Sequence, residues 1–128
     1  PRAQAFLDRN VSDNNLPPIK FQRVDFEKEN QTLGKFDLII ASDILYQPHQ
    51  AKVVANFISC HSSHDGDVIL VDPGRENRSK FTANMAALGY QHQSKGFNQT
   101  VATDIKCKGQ ILHYSRLNHF TDDPIKPL

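Results

Sequence analysis

The run Phe36-Asp37-Leu38-Ile39-Ile40-Ala41-Ser42-Asp43-Ile44-Leu45-Tyr46 constrains the fold of this chain more than any other stretch. From Phe36 to Ala41 it is almost continuously apolar, the pattern of a parallel strand covered by helices on both faces. It ends on a carboxylate, Asp43, and three residues later on a phenol, Tyr46. In open α/β sheets ligands gather at the carboxyl ends of strands, so position alone makes Asp43 and Tyr46 candidates for a site.

Val68 to Val71 repeats the apolar pattern, and the two runs are expected to be neighbours in the middle of a sheet. Between them Pro48 suits the first turn of a helix, and Val54, Phe57, Ile58 and His61 share a face until His64-Asp65-Gly66 ends it. This is a strand-helix-strand crossover. After Asp72-Pro73-Gly74, the residues Phe81, Met85 and Leu88 fall at i, i+4 and i+7, and Gly89 stands where a helix terminator belongs. Tyr90 to Phe97 and Gln110 to Leu117 read as two final strands in an antiparallel hairpin, and the polar stretch Asn98 to Gly109 between them is a candidate lid.

Towards the amino terminus, Ala3, Leu7 and Val11 recur at four-residue spacing with Phe6 beside them, one apolar stripe on a helix that Asn14-Asn15-Leu16-Pro17-Pro18 stops. Ile19 to Val24 alternates apolar and polar until its last pair, as an edge strand does, and Asp25 follows directly. The expected architecture is α/β, a mostly parallel sheet with a terminal antiparallel hairpin. The sequence divides into a domain over residues 1–117 and a loose tail over 118–128, where Asp122-Asp123-Pro124 and Pro127 have little to bury.

Composition narrows the partners. With 128 residues and 38% hydrophobic content the chain can bury one core. A formal net charge of +1, with both signs spread along the chain, leaves no electrostatic footprint for nucleic acid or an anionic membrane. The apolar runs fall far short of a membrane span and Pro1-Arg2-Ala3-Gln4 leads into no signal-peptide core, so the expected location is cytoplasmic. Cys60 and Cys107 lack C-x-x-C spacing and are expected to be reduced thiols. His61 and His64 stand three apart on the expected helix, but without further ligands they read as a surface pair and no metal is expected. Ser59, Ser62 and Ser63 lie near histidines without the G-x-S-x-G elbow of a hydrolase.

Three phrases in order, Val24-Asp25-Phe26, then Phe36 to Tyr46, then Val71-Asp72-Pro73-Gly74-Arg75, resemble the class I S-adenosylmethionine-dependent methyltransferases. Within that family they are similar to the branch of small-protein lysine methyltransferases and nicotinamide N-methyltransferase-like proteins, whose most distinctive signal is the D-x-x-Y element, here Asp43 and Tyr46. The resemblance covers roughly residues 1 to 117 and implies a Rossmann-like fold with S-adenosylmethionine as cofactor. It implies that Asp25 accepts a hydrogen bond from the adenine amino group, that Phe26 stacks on the adenine ring, and that Ala41 and Ser42 let the adenosyl group approach closely. Pro73, Gly74 and Arg75 become a substrate-side wall. The implied partner is an amine, on a protein or a small molecule, with protein lysine favoured.

Chemistry supports the roles of Asp43 and Tyr46. If the chain turns helically after the strand, i and i+3 lie on one side, and a carboxylate and a phenol can flank one nitrogen. Methyl transfer needs a neutral lone pair held in line with the methyl group, and orientation can supply roughly 7 to 11 kcal/mol of the acceleration.

The chain departs from the family in one respect. The glycine-rich motif after the first strand and the acidic residue after the second are absent, and the chain aligns as if its first third were missing. In the family's strand order, 3-2-1-4-5-7-6, the missing strands lie between Ile19 to Val24 and Phe36 to Ala41. Either those two segments pair directly, or a partner chain covers the exposed edge, which makes self-association through the incomplete sheet an expectation. The 128-residue chain alone is accordingly expected to bind the cofactor poorly and to be inactive. The rival from another class is a non-catalytic assembly or binding module; a nucleotide-binding oxidoreductase ranks last, for want of any hydride-handling constellation.

Overall fold

The computed structural model describes residues 2–28, 32–74, 76–100, 105–117 and 120. Its elements in chain order are α1 (Arg2–Asp13), β1 (Phe36–Ser42), α2 (Gln50–His61), β2 (Ser62–Asp72), α3 (Arg78–Ala87), β3 (Gln91–Thr100) and β4 (Lys106–Ser115). The four strands form one sheet in the order β1-β2-β4-β3. β1 runs parallel to β2, with Leu38 opposite Asp67 and Ser42 opposite Val71, and α2 makes the crossover that parallel neighbours require. β4 is antiparallel to both β2 and β3, so the sheet closes on the expected hairpin.

The core lies on one face of this sheet. Val68 and Leu70 from β2 and Leu112 and Tyr114 from β4 meet Ala51, Val54, Ala55 and Ile58 from α2 and Phe81 and Met85 from α3, all buried. The period-two alternation of a strand places these even-numbered residues on the helix side. α3 ends as the position of Gly89 predicts. Gly89 takes φ +90°, its N–H bonds the carbonyl of Ala86, and the N–H of Tyr90 reaches back to Met85, the paired bonds of a Schellman motif. Tyr114, fully buried, meets Phe81 edge-on at 5.4 Å between ring centroids and shares a 2.9 Å hydrogen bond with the hydroxyl of Thr82. Burial pushes its phenol up to about 12, against the opposing pull of the Thr82 hydrogen bond.

Several expectations are corrected. Ile19 to Val24 forms no strand; it is irregular chain, and it does not pair with β1. Alternation alone does not make a strand, because a ladder needs a neighbouring edge. β1, expected in the middle of the sheet and covered on both faces, is an edge strand with one covered face. Ile39 and Ala41 pack against the core, whereas Leu38 is 59% and Ile40 74% exposed. α1 forms over the expected residues, yet none of them is buried. β2 begins at Ser62, so His64-Asp65-Gly66 lies within a strand and His61 and His64 do not share a helix. The hairpin strands extend into the stretch expected as a connection, with Asn98 opposite Lys108 and Gln99 opposite Cys107; residues 101–104 lie outside the described set. Apart from Phe120, whose ring meets His113 edge-on, the tail over 118–128 also lies outside it.

Candidate functional site

At the carboxyl rim of the sheet, Asp43 and Tyr46 lie on the loop after β1, and Pro73 and Gly74 on the turn after β2. β1 ends at Ser42, and Asp43 continues the ladder by one bond, its N–H donating to the carbonyl of Val71 at 2.9 Å. Asp43 takes φ +51°, a left-handed conformation that costs most L-residues about 1 to 2 kcal/mol and that aspartate tolerates better than most. Backbone strain of this kind concentrates at functional sites, where the surroundings hold it in place. The next residues are not helical, since α2 starts only at Gln50. The expected helical turn is therefore replaced by a single left-handed residue, which still brings Tyr46 back: its hydroxyl donates to Asp43 Oδ2 at 3.3 Å. Leu45, fully buried, anchors the loop in the core, while the ring of Tyr46 stays exposed.

The end of β2 supplies the facing wall. Asp72 is buried, its Oδ2 accepting the N–H of Gly74 at 2.9 Å and lying 3.7 Å from Arg78 Nη1. Gly74 has φ +108°, a conformation open chiefly to glycine, which explains a glycine at this turn. Asn77 donates its side-chain amide to the carbonyl of Leu45 at 3.1 Å, tying this wall to the β1–α2 loop. Leu45, Tyr46, Pro73, Gly74, Glu76 and Asn77 line a cavity of about 420 Å³. Tyr46, Pro73 and Gly74 thus share one cavity; Arg75 lies outside the described residues.

The same loop borders a second, larger cavity of about 1050 Å³. It lies between the irregular segment 22–28 and the start of α2, and includes Asp25, Phe26, His49 and Gln50. Asp25 Oδ1 accepts the N–H of Glu27 at 3.1 Å, a local turn, and Lys28 Nζ stands 3.7 Å from Oδ2. Phe26 packs its ring 4.8 Å from that of Phe57 on α2, so part of its apolar surface is taken up by protein. Glu27 and His49, both on the cavity lining, approach to 3.9 Å. Of the small residues closing β1, Ala41 is half-buried against the core and Ser42 is exposed. Among the described residues no group of three or more His, Cys, Asp or Glu could hold a metal ion.

Glu76, Asn77, Arg78 and His49 are the rim residues that sequence reasoning missed. An asparagine before a helical pattern reads as an ordinary cap, and an arginine in a first helical turn reads as solvated. Only the fold brings Asn77 to a carbonyl 32 residues earlier.

The sequence matches no protein-family model, and no curated protein matches it. Solved structures do match. The chain shares its fold with methyltransferases. It is similar to a methyltransferase from Pyrococcus furiosus with a TM-score of 0.60 and 18% identity, over 85% of this chain and 55% of that one. A precorrin-6y C5,15-methyltransferase from Geobacter metallireducens gives 0.60 and 13%, over 89% and 61% of the two chains. A precorrin 8w decarboxylase from Methanobacterium thermoautotrophicum gives 0.62 and 11%, over 90% and 64%. At these identities the likeness is one of fold, and the chain spans between 55% and 64% of the length of these structures. No described helix is long and apolar enough to cross a membrane.

Proposed function

We propose that this chain forms part of an S-adenosylmethionine-dependent methyltransferase acting on a nitrogen nucleophile, with a protein lysine as the favoured acceptor. The observation that carries the reading is the loop after β1. It brings Asp43 and Tyr46 within hydrogen-bond distance at the carboxyl rim, and lends Leu45 and Tyr46 to one cavity and His49 to another. A donor and an acceptor molecule need two adjoining compartments, and a loop shared by both can align them. The fold likeness leaves the acceptor open, since a fold does not determine a substrate.

The larger cavity fits the adenosyl end of the cofactor: its volume is at the upper end for small-molecule sites, and Asp25 and Phe26 offer an acceptor and an aromatic surface. Residues for the methionine end have no counterpart in the sequence, which lacks the glycine-rich motif. When bound, S-adenosylmethionine supplies an electrophilic methyl group on a sulfonium. Asp43 would accept a hydrogen bond from the acceptor amine, orient its lone pair and favour the positive charge that develops on nitrogen. Tyr46 would wall the acceptor cavity and, through its bond to Asp43, fix the carboxylate. Pro73 and Gly74 would close the opposite side.

The test is transfer of a radiolabelled methyl group to lysine peptides by the full-length protein. Asp43→Ala is expected to lower kcat by about 10²-fold or more, the scale of losing one electrostatic contact in a transition state, with cofactor affinity retained. Undiminished transfer by a folded Asp43→Ala protein would defeat the reading. The rival reading, a non-catalytic module that self-associates, draws on the uncovered face of β1, where Leu38 and Ile40 are exposed, and on the place of β1 at the sheet edge. Sedimentation showing a dimer that Ile40→Lys dissolves, in a protein that transfers no methyl group, would favour it instead.

A further inference from the structure

We propose that Asn77 is a positioning residue that holds the Asp43–Tyr46 loop in register with the wall after β2, a role that rests on the transferase reading above. Asn77 occupies the N-cap of α3, where asparagine is among the strongest formers of a side-chain bond to the first-turn N–H groups. It makes no such bond here. Its amide instead donates to the carbonyl of Leu45 at 3.1 Å, and both residues line the 420 Å³ cavity. The Asn77 backbone is helical there, φ −77° and ψ −5°, and not extended as in a capping residue, which leaves the amide to bond elsewhere.

The place of the accepted carbonyl gives the bond its consequence. The Leu45 carbonyl belongs to the peptide that joins Leu45 to Tyr46, so holding that plane holds the Tyr46 Cα in place and narrows the directions open to its side chain. At the other end of the same loop, the Asp43 N–H is held by Val71. Two hydrogen bonds, one into β2 and one from the start of α3, thus bracket residues 43 to 45 and hold Asp43 in its left-handed conformation. Asn77 acts through the peptide before Tyr46.

Asn77→Asp separates this role from a structural one. The carboxylate keeps the shape and complements the helix dipole, but it cannot donate to the Leu45 carbonyl. The melting temperature is therefore expected to hold or rise, while the hold on the loop is lost. Tyrosine ring labelling reports this without any substrate, because the chain has three tyrosines and the other two, Tyr90 and Tyr114, are buried in the core. In the nuclear magnetic resonance spectrum of Asn77→Asp, the Tyr46 ring signals should shift or broaden and those of Tyr90 and Tyr114 should stay. Methyl transfer by the full-length variant should show a kcat lower by about tenfold with cofactor affinity within about twofold, as expected of lost alignment. Should Asn77→Asp not fold, Asn77→Ser, which caps well but is too short to span to Leu45, serves in its place. Unmoved Tyr46 signals in a folded variant, or moved signals with unchanged transfer, would overturn the positioning role. Absence of transfer in the unsubstituted protein would overturn the transferase reading instead, a result the spectrum alone cannot produce.

Discussion

Ile39 and Ile40 are the same residue type one step apart on β1, yet Ile39 packs against the core and Ile40 is 74% exposed. Around Ile39 the α2 and α3 helices bury Val54, Ile58, Phe81 and Met85 against β2 and β4. Around Ile40 lie Leu38 at 59% exposure, Phe36 at 45% and the outer edge of the sheet, and no residue of α1 is buried. The difference teaches that an apolar run specifies a strand, while the number of its faces that become buried depends on which elements arrive to cover them.

The largest effect that could break this contrast is a cavity in the covered half. Phe81→Ala, at a fully buried position, is expected to cost about 3 to 5 kcal/mol in urea unfolding, whereas Ile40→Ala should cost less than about 1 kcal/mol. A comparable loss at both positions would mean that the open face of β1 is covered in solution. Concentration-dependent sedimentation of the two variants would then identify a second copy as the cover or exclude it.

The contrast also separates what could be read in the sequence from what could not. β1, α2, β2, α3 and the hairpin were legible because each carries a local signal, a nearly continuous apolar run in β1 and β2 and, in α3, Phe81 and Met85 on one helical face. Gly89 marked the end of α3 because its conformation is local. Ile19 to Val24 had the right alternation and still formed no strand, because pairing depends on a neighbour and not on the segment itself. At the rim, Asp43 and Tyr46 were found from their position after an apolar run, but the left-handed turn that joins them was not, since aspartate carries no obligatory signal for it. The Arg78 to Asp72 pair and the Asn77 bond to Leu45 join different elements and had no signature in either partner's neighbourhood.

A second test probes the covered half by charge. The Tyr114 phenol lies up at about 12, above its ordinary value of 10.0, so the folded protein keeps that proton where the unfolded chain releases it. The stabilisation is fully present below pH 10 and is lost as pH rises through about 12, a loss of about 2 to 3 kcal/mol at 1.36 kcal/mol per unit. Tyr114→Phe should remove this part of the alkaline decline, at the expense of about 1 kcal/mol at neutral pH for the lost Thr82 hydrogen bond. An unchanged alkaline limb in Tyr114→Phe would show that the covered half is wetter than its packing indicates.

The smallest test compares two helix ends. α3 ends on Gly89 at φ +90° within the covered half, and α1 ends before Asn15 at φ +52° in the exposed half. Alanine is strained in either conformation, by about 1 kcal/mol or slightly more. The strain lowers global stability only where the helix end unfolds together with the core. Gly89 is followed by Tyr90, which is buried, so Gly89→Ala should lower the stability of the whole domain by roughly that amount. Asn15→Ala should leave the main unfolding transition in place and speed hydrogen exchange only within α1, because a helix with no buried residue can fray without opening the core. An equal shift of the main transition by both variants would make α1 part of the same cooperative unit, and would require its apolar stripe of Leu7 and Val11 to be packed against something in solution.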